Sequence, residues 1–180
     1  MHTNHSTHAP LPTTTAVAVI GAGTMGAGIA QVAASHGHPV QLFDLNPEAL
    51  QRGLDQIATG LAGQVKRGKL NDDQRTAILA RLSPTSSLAA LGDCGLVIEA
   101  IVEDLAIKRR LLADLETTCA ADCILASNTS SISITALGAE MQHPERLVGM
   151  HFFNPAPVMK LVEVVSGLAT APATAAQVHA

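Results

Sequence analysis

The stretch from Ala16 to Ala30, AVAVIGAGTMGAGIA, constrains the fold more than any other part of the chain. A short apolar, β-branched run ends in Gly21, Gly23 and Gly26 at the spacing G-x-G-x-x-G, and these glycines open straight into an alanine-rich helical pattern. That order predicts strand, phosphate loop, helix. Gly21 permits a tight turn off the strand, Gly23 lets backbone approach a pyrophosphate closely, and Gly26 lets the new helix pack against the sheet. The helix start then offers unpaired N–H groups and a positive dipole end to an anion. Taken alone, the glycines fit a plain strand-to-helix turn equally well.

The residues that follow favour a dinucleotide. Val40-Gln41-Leu42-Phe43 reads as a second buried strand and ends on Asp44, about twenty residues beyond the glycine loop, where a carboxylate can hold an adenosine ribose. Asp44 would repel a 2′-phosphate, and no Arg or Lys follows it until Arg52, so NAD is expected over NADP. A helix-capping role for Asp44 is less economical, because Asn46-Pro47-Glu48 already supplies a cap, a first-turn proline and a first-turn acid.

Composition narrows the remaining classes. With 180 residues, 47% of them hydrophobic and 14% charged, the chain is long and apolar enough to bury a core. A formal net charge of −4 without basic runs gives no reason to expect nucleic acid, and the absence of Trp and Tyr removes base stacking. No apolar run reaches membrane-spanning length and the N-terminus lacks a signal-peptide pattern, so no membrane partner and a cytoplasmic location are expected. Cys94, Cys119 and Cys123 match neither a zinc ribbon nor a redox pair and read as small buried hydrophobes, and no metal is expected. Residues 1–15, which include His2, His5 and His8, read as a disordered leader rather than a metal site, and 16–180 as the folded domain.

Beyond Asn46, helical patterns through Leu50, Leu54, Ile57 and Leu61 and over Asp72 to Leu82 predict a helical excursion after the second strand. Between them Lys66, Arg67 and Lys69 form either a solvated face or a phosphate-recruiting cluster. Gly95 to Ile101 is a near-continuous apolar run, expected as a strand buried on both faces. Asp104 to Thr118 reads as a helix with Leu105, Leu111, Leu112 and Leu115 on its core stripe and Lys108, Arg109 and Arg110 elsewhere. Strands at Cys123–Ala126, Leu147–Met150 and Lys160–Val165 complete the pattern, with a short helix over Ile134–Met141 and a weak helical start after Ser166. Strands alternating with helices predict a Rossmann-like, doubly wound, mostly parallel α/β sheet.

In such sheets ligands sit beyond the carboxyl ends of the strands. Asp44, Glu103, Ser127 to Ser131 and His151 to Asn154 all fall there and form the candidate site. A histidine at a strand end is the usual acid and base for interconverting an alcohol and a ketone, because imidazole titrates near neutral pH. Glu163 stands in the apolar strand Leu161–Val165, so it lies on a solvent face or is paired. If the chain folds back after Asn154-Pro155-Ala156-Pro157, Glu163 can orient the His151 ring and stabilise its charged form. Ser130 and Asn154 are then candidate hydrogen-bond donors to the reacting oxygen, or simply turn and cap residues.

Four blocks in order, GAGTMGAG from Gly21, VIEA from Val97, SNTSS from Ser127, and HFFNP from His151 running on to KLVEVV from Lys160, resemble the L-3-hydroxyacyl-CoA dehydrogenases of the 3-hydroxybutyryl-CoA type. Within that family the chain is most similar to the phenylacetate-catabolism branch, which oxidises 3-hydroxyadipyl-CoA. The resemblance covers nearly everything after Thr15. It implies NAD-dependent oxidation of a 3-hydroxyacyl-CoA to the 3-oxoacyl-CoA, with His151 as base and Glu163 as its orienting partner. It further implies Ser130 and Asn154 as substrate contacts, and Gly21, Gly23, Thr24, Met25, Gly26, Asp44, Glu103 and Lys108 as cofactor contacts. Family members continue into a helical second domain that closes the cleft and forms a homodimer contact, so this chain reads as the first domain alone. A non-catalytic NAD-binding protein, as in related lens crystallins, is the alternative.

Overall fold

The computed structural model describes residues 11–179. The histidine-rich segment with His2, His5 and His8 lies outside the described residues. Residues 11–15 belong to the fold, which narrows the expected leader: Thr15 N donates to Pro12 O and Leu11 packs against the core.

Seven strands form one sheet: β1 (Val17–Ile20), β2 (Val40–Phe43), β3 (Leu82–Thr85), β4 (Leu96–Glu99), β5 (Ile124–Ser127), β6 (Leu147–Phe152) and β7 (Val162–Ser166), in the order β3-β2-β1-β4-β5-β6-β7. All neighbours pair in parallel except β6 and β7, which are antiparallel. The order reverses between β1 and β4, which is where such sheets open a ligand crevice. Among the described residues, α1 (Thr24–Ser35), α2 (Pro47–Lys66), α3 (Asp72–Leu79), α4 (Leu105–Thr118) and α5 (Ile134–Gly138) lie between strands, and α6 (Pro172–His179) follows β7.

The period-two geometry of each strand divides the apolar residues between two cores. Val17, Val19, Val40, Leu42 and Ile98 point to the side of α1, α2 and α3, where Ile29, Ile57 and Ile78 meet them. Ala18, Ile20, Val97 and Leu125 point the other way, against Leu112 and Leu115 of α4 and Leu137 of α5. Cys94, Cys119 and Cys123 are free and buried in this second core, and burial pushes the Cys94 thiol up to about 11. No helix among the described residues is long and apolar enough to cross a membrane.

Two departures from the sequence reading concern element boundaries. β3 begins at Leu82, the last residue of the run expected to be helical, where no strand was expected. Its Pro84 cannot donate a ladder bond, and it is accommodated because β3 is an edge strand that pairs only with β2. The helix expected over Ile134–Met141 stops at Gly138, where Pro144 and Leu147 close in from the following turn.

Candidate active site

The glycine loop is shaped by contacts that a side chain would break. Gly21 leaves β1 with φ +97°, and a Cβ there would stand 2.8 Å from the Ala100 carbonyl oxygen. At Gly26 a Cβ would lie 1.7 Å from the Gly21 oxygen, so α1 reaches the sheet only through a glycine. Gly23 is different, since nothing lies within 4 Å of a Cβ built on it, and the position is exposed at the α1 N-terminus. Gly23 caps α1 without any side-chain hydrogen bond, which leaves the first-turn N–H groups free for an anion. Thr24 is exposed beside it, while Met25 is half-buried against the first core.

Asp44 closes the loop from β2. Its Oδ2 accepts from Ala22 N at 2.8 Å and its Oδ1 from Asn46 N at 2.9 Å, and Asn46 takes the cap position of α2 by accepting from Glu48 N and Ala49 N. Each carboxylate oxygen keeps acceptor capacity beyond its one bond. Asp44 also lines an apolar groove of about 360 Å³ with Ile20, Phe43, Leu45, Ile101 and Ile107. A mostly apolar groove lined by Asp44, with Arg110 and Asp114 also on its wall, next to free helix N–H groups, fits an adenosine diphosphate moiety.

The second half of the site is a hydrogen-bonded relay at the ends of β5, β6 and β7. His151 on β6 pairs directly with Glu163 on β7, and its Nδ1 lies 2.9 Å from Glu163 Oε2. A carboxylate only accepts, so Nδ1 carries the proton and Nε2 presents its lone pair to the Ser130 hydroxyl at 3.2 Å. The His151 side chain is 20% exposed and that of Glu163 52%, so the pair opens onto a pocket of about 280 Å³ that Ser130 and Ser131 also line. Asn154 lies in the exposed turn three residues past His151 and makes no hydrogen bond to the relay. Asn128 Oδ1 accepts from Phe152 N at 2.9 Å and ties the ends of β5 and β6 together.

Glu103 holds the Ser130 loop from the other side. Its Oε1 accepts from Thr129 Oγ1 at 2.5 Å, from Ser130 N at 3.0 Å, and from Ser131 N and Oγ at 3.2 Å. Burial alone would push this carboxyl up, but the Thr129 bond, the Lys108 charge and the Ser131 and Ser130 amides together hold it below its ordinary 4.5. Lys108 corrects the helix pattern, which put it away from the core stripe: its side chain is 1% exposed. Its ammonium donates to Glu99 Oε1 at 2.8 Å and Oε2 at 2.7 Å, and stands 3.5 Å from Glu103 Oε2. Glu99, fully buried, also accepts from Ser127 Oγ and from Ile101 N.

The structure thus gathers Gly21, Gly23, Gly26 and Asp44 at one end of the crevice, and Glu103, Lys108, Ser130, His151 and Glu163 around the β4 to β7 end. Sequence reasoning missed Glu99. The signal was present, since a carboxylate in a continuous apolar strand must be paired, the same argument that singled out Glu163. Among the described residues no group of three or more His, Cys, Asp or Glu could hold a metal ion.

Comparison with known proteins identifies the family of the chain. The family described as 3-hydroxyacyl-CoA dehydrogenase, NAD binding domain, matches residues 16–180. A 3-hydroxyadipyl-CoA dehydrogenase of Escherichia coli K12 is 58% identical over 155 residues, covering 86% of this chain and 33% of that protein. A probable 3-hydroxybutyryl-CoA dehydrogenase of Bacillus subtilis is 44% identical over 164 residues, covering 91% and 57%. The crystal structure of a 3-hydroxybutyryl-CoA dehydrogenase from Escherichia coli K12 superposes with a TM-score of 0.89 at 55% identity, over 91% of this chain and 35% of that one. The chain spans between a third and rather more than half of the length of these relatives.

Proposed function

This chain belongs to the 3-hydroxyacyl-CoA dehydrogenase NAD-binding domain family, and from that premise we propose that it oxidises the 3-hydroxyl of a 3-hydroxyacyl-CoA to a ketone, with His151 as the acid and base. The observation that carries this reading is the relay from Glu163 through His151 to Ser130, set at the strand ends where the nicotinamide end of a dinucleotide lies. NAD, when bound, supplies the hydride acceptor.

Glu163 keeps the His151 ring in the tautomer whose Nε2 is an unprotonated acceptor, a place that the substrate hydroxyl takes over from Ser130. Nε2 removes the proton of the substrate hydroxyl as the C3 oxygen becomes a carbonyl, and returns one in the reverse direction. Ser130 Oγ and Asn154, on the turn after β6, donate hydrogen bonds to that oxygen. Gly21, Gly23, Thr24, Met25 and Gly26 hold the pyrophosphate, Asp44 the adenosine ribose, and Glu103 contacts the cofactor from the β4 end, with the buried Lys108 acting on it through Glu103 rather than by direct contact. The substrate is 3-hydroxyadipyl-CoA or 3-hydroxybutyryl-CoA, after the relatives named for them, the setting is the cytoplasm, and the working form is a homodimer.

The test is NADH oxidation with acetoacetyl-CoA, beside an NADH fluorescence titration that no tryptophan obscures. His151→Asn is expected to lower kcat by about 10²- to 10⁴-fold with the NADH Kd unchanged. Unchanged turnover in that variant overturns the reading, and saturable NADH binding by a parent protein without turnover points instead to a non-catalytic NAD-binding protein.

A further inference from the structure

The proposed chemistry makes no direct use of the two most deeply buried charged side chains among the described residues. Glu99 is 0% exposed and Lys108 1%, and together they sit beneath the loop Ser127–Ser131 that carries Ser130. A buried ion pair is a poor source of stability, because desolvating both charges offsets their attraction, and apolar replacements are often neutral. What this pair touches gives it another use. Glu99 grips the first residue of the loop through Ser127 Oγ, and Ser127 Oγ in turn accepts from Thr129 N at 3.2 Å. Lys108, fixed by two bonds to Glu99, turns its remaining charge toward Glu103 at 3.5 Å. Glu103 receives the amides of Ser130 and Ser131. Two carboxylates bridged by one ammonium therefore hold both ends of the loop whose fourth residue, Ser130, meets His151 Nε2.

We propose that Glu99 is a positioning residue: acting through Lys108 and Glu103 on one side and Ser127 on the other, it fixes the Ser130 hydroxyl on His151. This rests on the dehydrogenase reading for its consequence in turnover, but the placement of Ser130 is measurable without it. Glu99 does not contact substrate or cofactor. Its removal shifts the loop by fractions of an ångström, which loosens the alignment of the Ser130 hydroxyl, and misplacements of this kind cost up to about a hundredfold in rate.

The experiment compares wild type, Glu99→Gln, and the charge-neutral pair Glu99→Gln with Lys108→Met, in the full chain. Glu99→Gln alone leaves an unpaired buried ammonium and is expected to lower Tm strongly. The double variant removes that defect and keeps the fold measurable. Two readouts are taken: the ¹⁵N shift of His151 Nε2 without cofactor, which reports its hydrogen bond from Ser130, and kcat and KM with acetoacetyl-CoA. The expected result is a double variant with Tm close to wild type, a displaced Nε2 resonance, and kcat lower by about 10- to 100-fold with KM little changed. A double variant with the wild-type Nε2 shift overturns the proposal, whatever its turnover. Absence of turnover in wild type would count against the dehydrogenase reading alone, because the Nε2 shift still decides the role of Glu99.

Discussion

At the scale of single residues, the β4 to β7 end of the site holds three carboxylates in three environments. Glu99 is fully buried and paired with Lys108, Glu163 is half exposed beside His151, and Glu103 lies between, 41% exposed with four donors on one oxygen. The Glu103 carboxyl is held below its ordinary 4.5, so its ionised form favours the folded state. The sign follows from that direction: the contribution is complete above pH 4.5 and is lost as the pH falls through the lower folded-state value. Glu103→Gln is therefore expected to melt below wild type at pH 6, with the gap closing as the pH is lowered toward 3. Thermal melts by circular dichroism across that range check it, and a gap that stays constant with pH would assign the effect to packing rather than charge.

At the scale of elements, the glycine loop and the last hairpin do most to assemble the crevice. The second and third loop glycines, Gly23 and Gly26, differ in a way the structure makes testable. A Cβ at Gly26 would meet the Gly21 oxygen at 1.7 Å, whereas one at Gly23 meets nothing within 4 Å. Gly26→Ala is expected to destabilise by several kcal/mol, in the range of severe backbone and packing defects, or to prevent folding. Gly23→Ala is expected to leave Tm within about 2 °C, since exposed changes away from such defects cost little, yet to weaken NADH binding by tenfold or more, because its methyl occupies the approach of the pyrophosphate. Urea melts and NADH titration of the two variants separate these effects. The β6–β7 hairpin acts through register. His151 and Glu163 are direct cross-strand partners, and a slip of one residue would turn Glu163 to the opposite face.

At the scale of the whole molecule, the sheet is covered on both faces and its two cores meet the crevice from opposite sides. Binding at that crevice stabilises the native state alone, because the glycine loop, Asp44 and the Ser127–Ser131 loop come together only on folding. NADH at about a hundred times its Kd adds about 2.7 kcal/mol. For a domain of this size that corresponds to a rise in Tm of about 5–10 °C. Differential scanning fluorimetry measures it. His151→Asn is expected to show the same rise, because its ring is proposed to act on the substrate oxygen and not to hold the cofactor.

Much of this was legible along the chain because the signals are local. A strand, three glycines and a helix within Ala16–Ala30, and an acid at the end of the next strand, imply a dinucleotide fold from backbone sterics and helix-terminus electrostatics alone. The Asn46 cap of α2 was equally local. What only the tertiary structure decided depends on contacts between distant segments. Leu82–Thr85 is a strand because β2 offers it an edge, not because its own residues favour extension. Lys108 is buried because Glu99 lies beneath it, although a lysine on a helix is ordinarily exposed. Glu163 reaches His151 because the chain turns back into an antiparallel pair, and the Ser127–Ser131 loop is shaped by carboxylates 26 to 28 positions away. Residue patterns record periodicity and backbone preference; the pairing of buried charges is set by which strand ends the fold brings together, and that is a property of the sheet order.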